Sequence, residues 1–252
     1  MITIQQIIET VKAAGRIMLE AKDIAAGVEE KEGHANFVTA YDKKVQEFLE
    51  AKLMRLMPEA VFVGEEEEDH PAIREGYAFI VDPIDGTTNF MKGYCVSAVS
   101  VGLLKDGVPF MGAVYNPYLD EVFYAEAGKG AFCNGKPIHV SGKPLAKGIV
   151  IVGTAPYYRE LYDKTFEMIR YYFDRSLDIR RSGSAALDLC NVASGRAELF
   201  FEMRLQPWDF AAGSLIVTEA GGTVSTVEGE PLRFDRGISV IASGCEKSFL
   251  EN

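Results

Sequence analysis

The run Ala78-Phe79-Ile80-Val81, followed at once by Asp82-Pro83-Ile84-Asp85-Gly86-Thr87-Thr88, constrains the fold of this 252-residue chain more than any other stretch. Four apolar residues in a row predict a buried strand, and a buried strand that runs into two carboxylates must deliver them where charge is tolerated. Pro83 fixes φ at its position and Gly86 opens a conformation closed to other residues, so the turn can aim Asp82 and Asp85 at one point. Two ionised carboxylates so close repel each other unless a cation lies between them, and hard oxygen donors suit Mg²⁺ or Ca²⁺. A lone D-x-x-D also reads as a polar turn; the full string with its Pro, Gly and Thr pair is far more specific. A second apolar run, 60–63, likewise ends in acid, at residues 65–69.

Around this string the chain changes style once. Ile4, Ile7, Ile8, Val11, Ile17, Met18 and Ala21 recur at helical spacing, as do Tyr41, Val45, Phe48, Leu49 and Leu53, with Thr39 as N-cap of the second helix and Pro58 at its end. Residues 95–140 read as antiparallel strands turned by Asp106-Gly107 and Asn134-Gly135. Beyond about residue 141, strands (149–153, 197–201, 223–226, 238–242) alternate with helices (165–173, 185–193, 210–220), the pattern of an α/β half. The expected organisation is therefore an α+β half over 1–140 and an α/β half over 141–252, packed as one unit without a linker.

Composition excludes several functions. Twenty-six basic against 37 acidic residues give a formal charge of −11, which argues against nucleic acid or an anionic membrane surface as partner. A phosphate ester would be repelled too, unless bound cations reverse the local field. The N-terminal 24 residues interrupt their apolar pattern with polar ones, unlike a signal peptide, and no stretch has the length of a membrane span. Cys95, Cys133, Cys190 and Cys245 lie too far apart for a zinc site or a secreted disulfide scaffold, so a reducing cytoplasm is the expected compartment.

The Asp82 string is not the D-x-D-G-T of aspartyl-phosphate phosphatases, because Pro83 occupies the position their nucleophilic carboxylate requires. Nor does it have EF-hand spacing. Ser184 is not in a G-x-S-x-G elbow, which excludes that serine hydrolase class. His34, His70 and His139 show no ligand spacing, and Gly128-Lys129-Gly130 suits a hairpin better than a phosphate loop. Four more segments accompany the string: Gly64-Glu65-Glu66; Asn36-Phe37-Val38-Thr39-Ala40-Tyr41-Asp42; Arg181-Ser182-Gly183-Ser184-Ala185-Ala186; and Pro207-Trp208-Asp209, running on to Glu219-Ala220-Gly221-Gly222.

Together and in this order they resemble the inositol monophosphatase family, whose superfamily also holds fructose-1,6-bisphosphatases and bisphosphate nucleotidases. The resemblance implies a layered αβαβα sandwich of the sugar-phosphatase type and a Mg²⁺-dependent, Li⁺-sensitive phosphomonoesterase. It implies that Glu65, Asp82 and the Ile84 carbonyl hold one Mg²⁺, that Asp82, Asp85 and Asp209 hold a second, and that a third can bind near Glu65. It further implies a water nucleophile oriented by Thr87 with Asp42 behind it. Substrate contacts carried over the same way fall at Asp85, Gly86, Thr87, Gly183, Ser184, Ala185, Glu202 and Asp209, and a homodimer is implied. Each position has a plainer reading: Thr39 and Asp42 as a helix N-cap pair, Glu66 onward as a solvated acidic face, Asp209 as a helix-dipole partner and Trp208 as core. Asn36 stands where the family usually has Asp, and Lys31 at the offset of a lysine near a metal-binding loop. The substrate stays open among inositol monophosphate, fructose 1,6-bisphosphate, histidinol phosphate, NADP and 3′-phosphoadenosine 5′-phosphate. Glu202 is a candidate for polyol hydroxyls, and Arg204 for a second phosphate, on a connection beyond the strand 197–201. A regulatory protein that keeps the fold and binds a macromolecule is the competing function.

Overall fold

The computed structural model describes residues 2–22, 24, 28–30, 37–67, 71 and 75–245. Lys31, His34, Asn36, Glu68, Asp69 and His70 lie outside them. Helix α1 (Ile4–Leu19) opens on a capping box, in which the Thr3 hydroxyl accepts from Gln6 N and Gln6 Oε1 accepts from Thr3 N at 2.9 Å. A two-stranded antiparallel ribbon, β1 (Val28–Glu30) and β2 (Phe37–Thr39), leads into α2 (Ala40–Leu56). Next come β3 (Val61–Gly64), β4 (Tyr77–Asp85), the short α3 (Thr87–Met91), β5 (Ala98–Lys105), β6 (Val108–Asn116), β7 (Glu121–Glu126), β8 (Ala131–Cys133) and β9 (Lys136–Ile138). The second half holds β10 (Ile149–Val152), α4 (Tyr162–Phe173), β11 (Asp178–Arg180), α5 (Ala185–Ala193), β12 (Leu199–Leu205), α6 (Pro207–Glu219), β13 (Thr223–Ser225) and β14 (Ile238–Ser243).

Strands β3 to β9 form a seven-stranded sheet in sequence order, parallel only at β3–β4. The Asp106-Gly107 and Asn134-Gly135 turns have φ of 52° and 78°, and 49° and 77°, so both residues of each sit in the left-handed region that matches the twist of a hairpin. The second sheet has the order β11-β10-β12-β14-β13. It is only partly the parallel sheet that alternation implies: β10 pairs in parallel with β11 and β12, while β12–β14 and β13–β14 are antiparallel.

Period-two side-chain alternation sorts the apolar residues into layers. Val99, Val101, Leu103 and Ala113 face α1 and α2 with Ile7, Val11, Val45 and Leu49. On the opposite face, Ala98 and Val114 join Ala186, Leu189, Phe210 and Ile216 of α5 and α6, which also meet Ile151 and Phe200 of the second sheet. That sheet's outer face packs Val150, Leu199 and Phe201 on Tyr172 of α4. The result is a five-layer αβαβα sandwich. Its middle helices are apolar nearly all round, as burial between two sheets demands. α6 comes close because a Cβ on Gly102 would lie 3.0 Å from the Ala211 Cβ, and one on Gly112 would lie 3.0 Å from the Ala212 Cα. No helix among the described residues is long and apolar enough to cross a membrane.

Candidate active site

The middle layer brings the starts of α5 and α6 to the end of β4, and a cavity of about 650 Å³ opens there. It is walled by Glu65, Asp82, Asp85, Thr87, Glu202 and Asp209 among others. Glu65 reaches it because β3 pairs in parallel with β4 and Glu65 N donates to Val81 O at 3.1 Å, which holds the residue beside Asp82. Asp82 and Asp85 belong to β4 itself rather than to a turn after it. An odd separation of three would send them to opposite faces of a regular strand. The register instead runs Asp82↔Ser100 and then Asp85↔Ala98, three residues against two, and this bulge turns Asp85 back toward Asp82. Asp82 Oδ1 also accepts from Ile84 N at 3.0 Å across Pro83. Gly86 follows at φ 89°, where a Cβ would meet the carbonyl oxygens of Gly183 and Val96 at 3.0 Å.

Asp85 and Asp209 are each held by a helix start. Asp85 accepts from the Ser184 hydroxyl and from Ala185 N and Ala186 N at 3.2 and 3.0 Å, so it caps α5. Asp209 sits in the first turn of α6 and accepts from Gln206 N at 2.7 Å. Carboxylate oxygens of Asp82, Asp85 and Asp209 lie within 4.8 Å of one another. Burial first, then the charges of Glu65, Asp85 and Asp209, hold the Asp82 carboxyl well above the usual range. Burial likewise raises Asp209, followed by the charges of Glu65 and Asp85. Asp85 is pushed up to about 6 by burial, against the lowering effect of Ser184 and the α5 amides. Like charges held this tightly are stable only if protonated or bridged by a cation, and an all-oxygen donor set fits a hard divalent ion.

Behind the cluster stands a second device. Thr39 N and the Thr39 hydroxyl both donate to Asp42 Oδ2, so the pair does cap α2, yet Asp42 Oδ1 also lies 3.1 Å from the Thr87 hydroxyl. That hydroxyl is 3.2 Å from the Ile84 carbonyl as well. Burial pushes the Asp42 carboxyl up to about 6, with Thr39 working against it. Capping and site formation are thus one arrangement.

Two readings from sequence change here, and a third is extended. The amides of Ala185 and Ala186 and the Ser184 hydroxyl are not free for a ligand, because Asp85 takes them; a helix N-terminus attracts whatever carboxylate the fold brings to it. Glu202 and Arg204 lie within β12, not beyond it, since pairing with β14 extends the strand to Leu205. Their alternation with Phe201 and Met203 puts both on the cavity side. Trp208 is half-buried: it packs against the core cluster of Val63, Ile80, Leu104 and Ala211, as expected, and also lines the cavity, which the core reading leaves out. Glu202 Oε1 accepts from Ala155 N at 2.8 Å, its carboxyl is pushed up to about 7 by burial, and Gly153 leaves it room where a Cβ would strike its Oε2. His139 is exposed, and Lys129 N closes the Gly128–Gly130 hairpin on Glu126 O at 2.9 Å. Sequence reading gave no role to Arg181, Asp188 and Tyr157, which also line the cavity. Arg181 and Asp188 flank the Ser184 motif, so their neighbourhood was visible; nothing local marks Tyr157.

Fold and site together define a class: layered two-sheet proteins whose interlayer cleft is walled by carboxylates suited to a hard cation. The inositol monophosphatase family model matches residues 3–251. An inositol-1-monophosphatase of Synechocystis is 35% identical over 94% of this chain and 83% of that protein. A putative Nus factor SuhB of Neisseria meningitidis is 36% identical over 92% of this chain and 90% of its own. The crystal structure of extragenic suppressor protein suhB from Bartonella henselae superposes with a TM-score of 0.88 at 35% identity, covering 95% of this chain and 92% of that one. The chain belongs to the inositol monophosphatase family.

Proposed function

We propose that this protein is a Mg²⁺-dependent phosphomonoesterase acting on a small phosphorylated polyol or sugar, with inositol monophosphate foremost. The observation that carries the reading is the convergence of Asp82, Asp85 and Asp209 within 4.8 Å on a cavity that also holds the Thr87–Asp42 pair. Glu65, Asp82 and the Ile84 carbonyl would hold one Mg²⁺, Asp82, Asp85 and Asp209 a second, and a third would lie near Glu65. When bound, the cations offset the charge of the phosphate and polarise its phosphorus. Thr87 orients the attacking water, and Asp42 draws its proton through the Thr87 hydroxyl; a carboxyl near pKa 6 suits a general base at neutral pH. Glu202 accepts from hydroxyls of the leaving polyol. Gly86 and Gly183 let backbone close on the ester, while Ser184 and Ala185 act through Asp85.

Phosphate release from a panel of inositol 1-phosphate, fructose 1,6-bisphosphate, histidinol phosphate, NADP and 3′-phosphoadenosine 5′-phosphate tests the substrate. The reading expects the polyol monoester to have the highest kcat/KM; a nucleotide in first place would replace it. A homodimer belongs to the same proposal and is supported by Phe166, Phe173 and Leu177, which are 61%, 57% and 67% exposed on and after α4. The free cysteines Cys95, Cys133, Cys190 and Cys245 support a reducing, cytoplasmic compartment. One finding favours a second reading, as a regulatory factor: a relative bears the name Nus factor. Absence of phosphate release from every ester, with Mg²⁺ still bound, would favour it.

A further inference from the structure

The loop 153–158 between β10 and α4 forms a wall of the cavity that no sequence motif includes. It is pinned at both ends. Gly153 N donates to Phe201 O and Ala155 N to Glu202 Oε1, each at 2.8 Å. Ala155 is fully buried at φ 40°, a left-handed conformation that a residue with a Cβ keeps only where its surroundings over-determine it, which is a mark of functional segments. On the far side, Tyr158 N closes a turn on Ala155 O at 3.0 Å, and Gln206 Nε2 donates to the Tyr158 hydroxyl at 3.2 Å. The Arg204 guanidinium covers the Tyr158 ring at 5.5 Å, and the Tyr162 hydroxyl donates to Pro156 O at 2.7 Å.

Held between these anchors, Tyr157 lines the cavity. The residue is 44% exposed, and its hydroxyl has no hydrogen-bond partner among the described residues. Burial of the phenol, then the nearby charges of Glu65, Asp209 and Glu202, push it up to about 12, so it keeps its proton. The carboxylates around it accept hydrogen bonds and have their own tasks, two with the cation and one with the polyol. The phenol is thus a neutral donor close both to Glu65 and Asp209, assigned above to the cations, and to Glu202, assigned to the polyol.

We propose that Tyr157 is a substrate-positioning residue whose phenol donates a hydrogen bond to an oxygen of the polyol next to the ester bond. It thereby selects leaving groups that carry such an oxygen. This rests on the phosphomonoesterase reading above.

The test compares wild type, Tyr157→Phe and Tyr157→Ala on myo-inositol 1-phosphate and on p-nitrophenyl phosphate, whose leaving group has no neighbouring hydroxyl. For Tyr157→Phe the ratio of kcat/KM between the two esters falls about three- to tenfold, mainly through KM for the inositol ester, the range of one net hydrogen bond. Tyr157→Ala loses at least as much. A second arm needs no turnover: Trp208, the single tryptophan, lines the cavity and reports binding of a phosphonate analogue of inositol 1-phosphate and of inorganic phosphate. Tyr157→Phe weakens the first relative to the second. An equal loss on both esters, or on neither, overturns the proposal, as does unchanged relative binding. If wild type hydrolyses neither ester while the binding difference persists, the phosphatase reading fails and the role of Tyr157 stands.

Discussion

Asp85 and Asp209 each hold a helix start and, in the proposed function, also bind a cation, and the balance between the two tasks decides what a substitution costs. Replacing either by Asn keeps most capping bonds and removes a charged ligand. Asp209→Asn is therefore expected to fold with a near-native circular dichroism spectrum, to bind Mg²⁺ far more weakly by calorimetry, and to turn over orders of magnitude more slowly; near-normal turnover at saturating Mg²⁺ would refute its role. Thr87→Val keeps the volume and deletes the hydroxyl 3.1 Å from Asp42. Its kcat should fall by more than its KM rises. A sharp rise in KM with kcat unchanged would make Thr87 a substrate ligand instead. The residues that meet at the cavity were legible from the five motifs taken together, since a strand-end Asp pair or a Thr–Asp helix cap alone has a plainer use. The partners of Ser184 were not, since they come from a strand about a hundred residues earlier in the chain.

At the scale of elements, helices were the easiest to read and strand ends the hardest. The α5 helix is predicted and found over Ala185–Ala193, because its start, stop and apolar period are all local. By contrast, Pro83 and Gly86 signal that Asp82 and Asp85 converge, but not that they do so through a bulge inside β4 rather than a turn after it; that depends on pairing with Ser100 and Ala98. The extension of β12 through Glu202 and Arg204 depends in the same way on β14. The close seat of α6 yields a prediction at this scale. Gly112→Val forces a branched side chain against the backbone of Ala212, where even a Cβ would be at 3.0 Å. Overpacking of this kind costs about 1–3 kcal/mol. Urea unfolding should show that loss, together with weaker Mg²⁺ binding, since α6 carries Asp209; an unchanged midpoint would mean that the layers can part at no cost.

For the whole molecule, the acidic cavity makes stability depend on pH and on metal together. Asp42, Asp85 and Glu202 have pKa values raised to about 6, 6 and 7 by burial, so the metal-free folded state holds protons that the unfolded chain releases. Their protonated forms favour folding below about pH 4, and that contribution is lost as pH rises through 4 to 7. Metal-free protein should accordingly have a lower Tm at pH 7.5 than at pH 5.5. Added Mg²⁺, which replaces those protons at Asp85 and its neighbours, should raise Tm more at pH 7.5 than at pH 5.5. A metal-free Tm that climbs over this interval would contradict the account. The layered architecture itself follows from the family that the motifs resemble, whereas the antiparallel edge of the second sheet does not show in the sequence, because β14 returns to pair with β12 only after the chain has passed through α6 and β13.

The central claim is that this carboxylate-walled cavity hydrolyses a phosphate ester with a divalent cation held by Asp82, Asp85 and Asp209. It is tested most directly by phosphate release from inositol 1-phosphate after the protein is stripped with a chelator and again after Mg²⁺ is restored. The account predicts no release from the stripped protein, recovery with Mg²⁺, and no recovery in Asp85→Asn at the same Mg²⁺ concentration. Release that survives stripping, or that Asp85→Asn recovers in full, would contradict it.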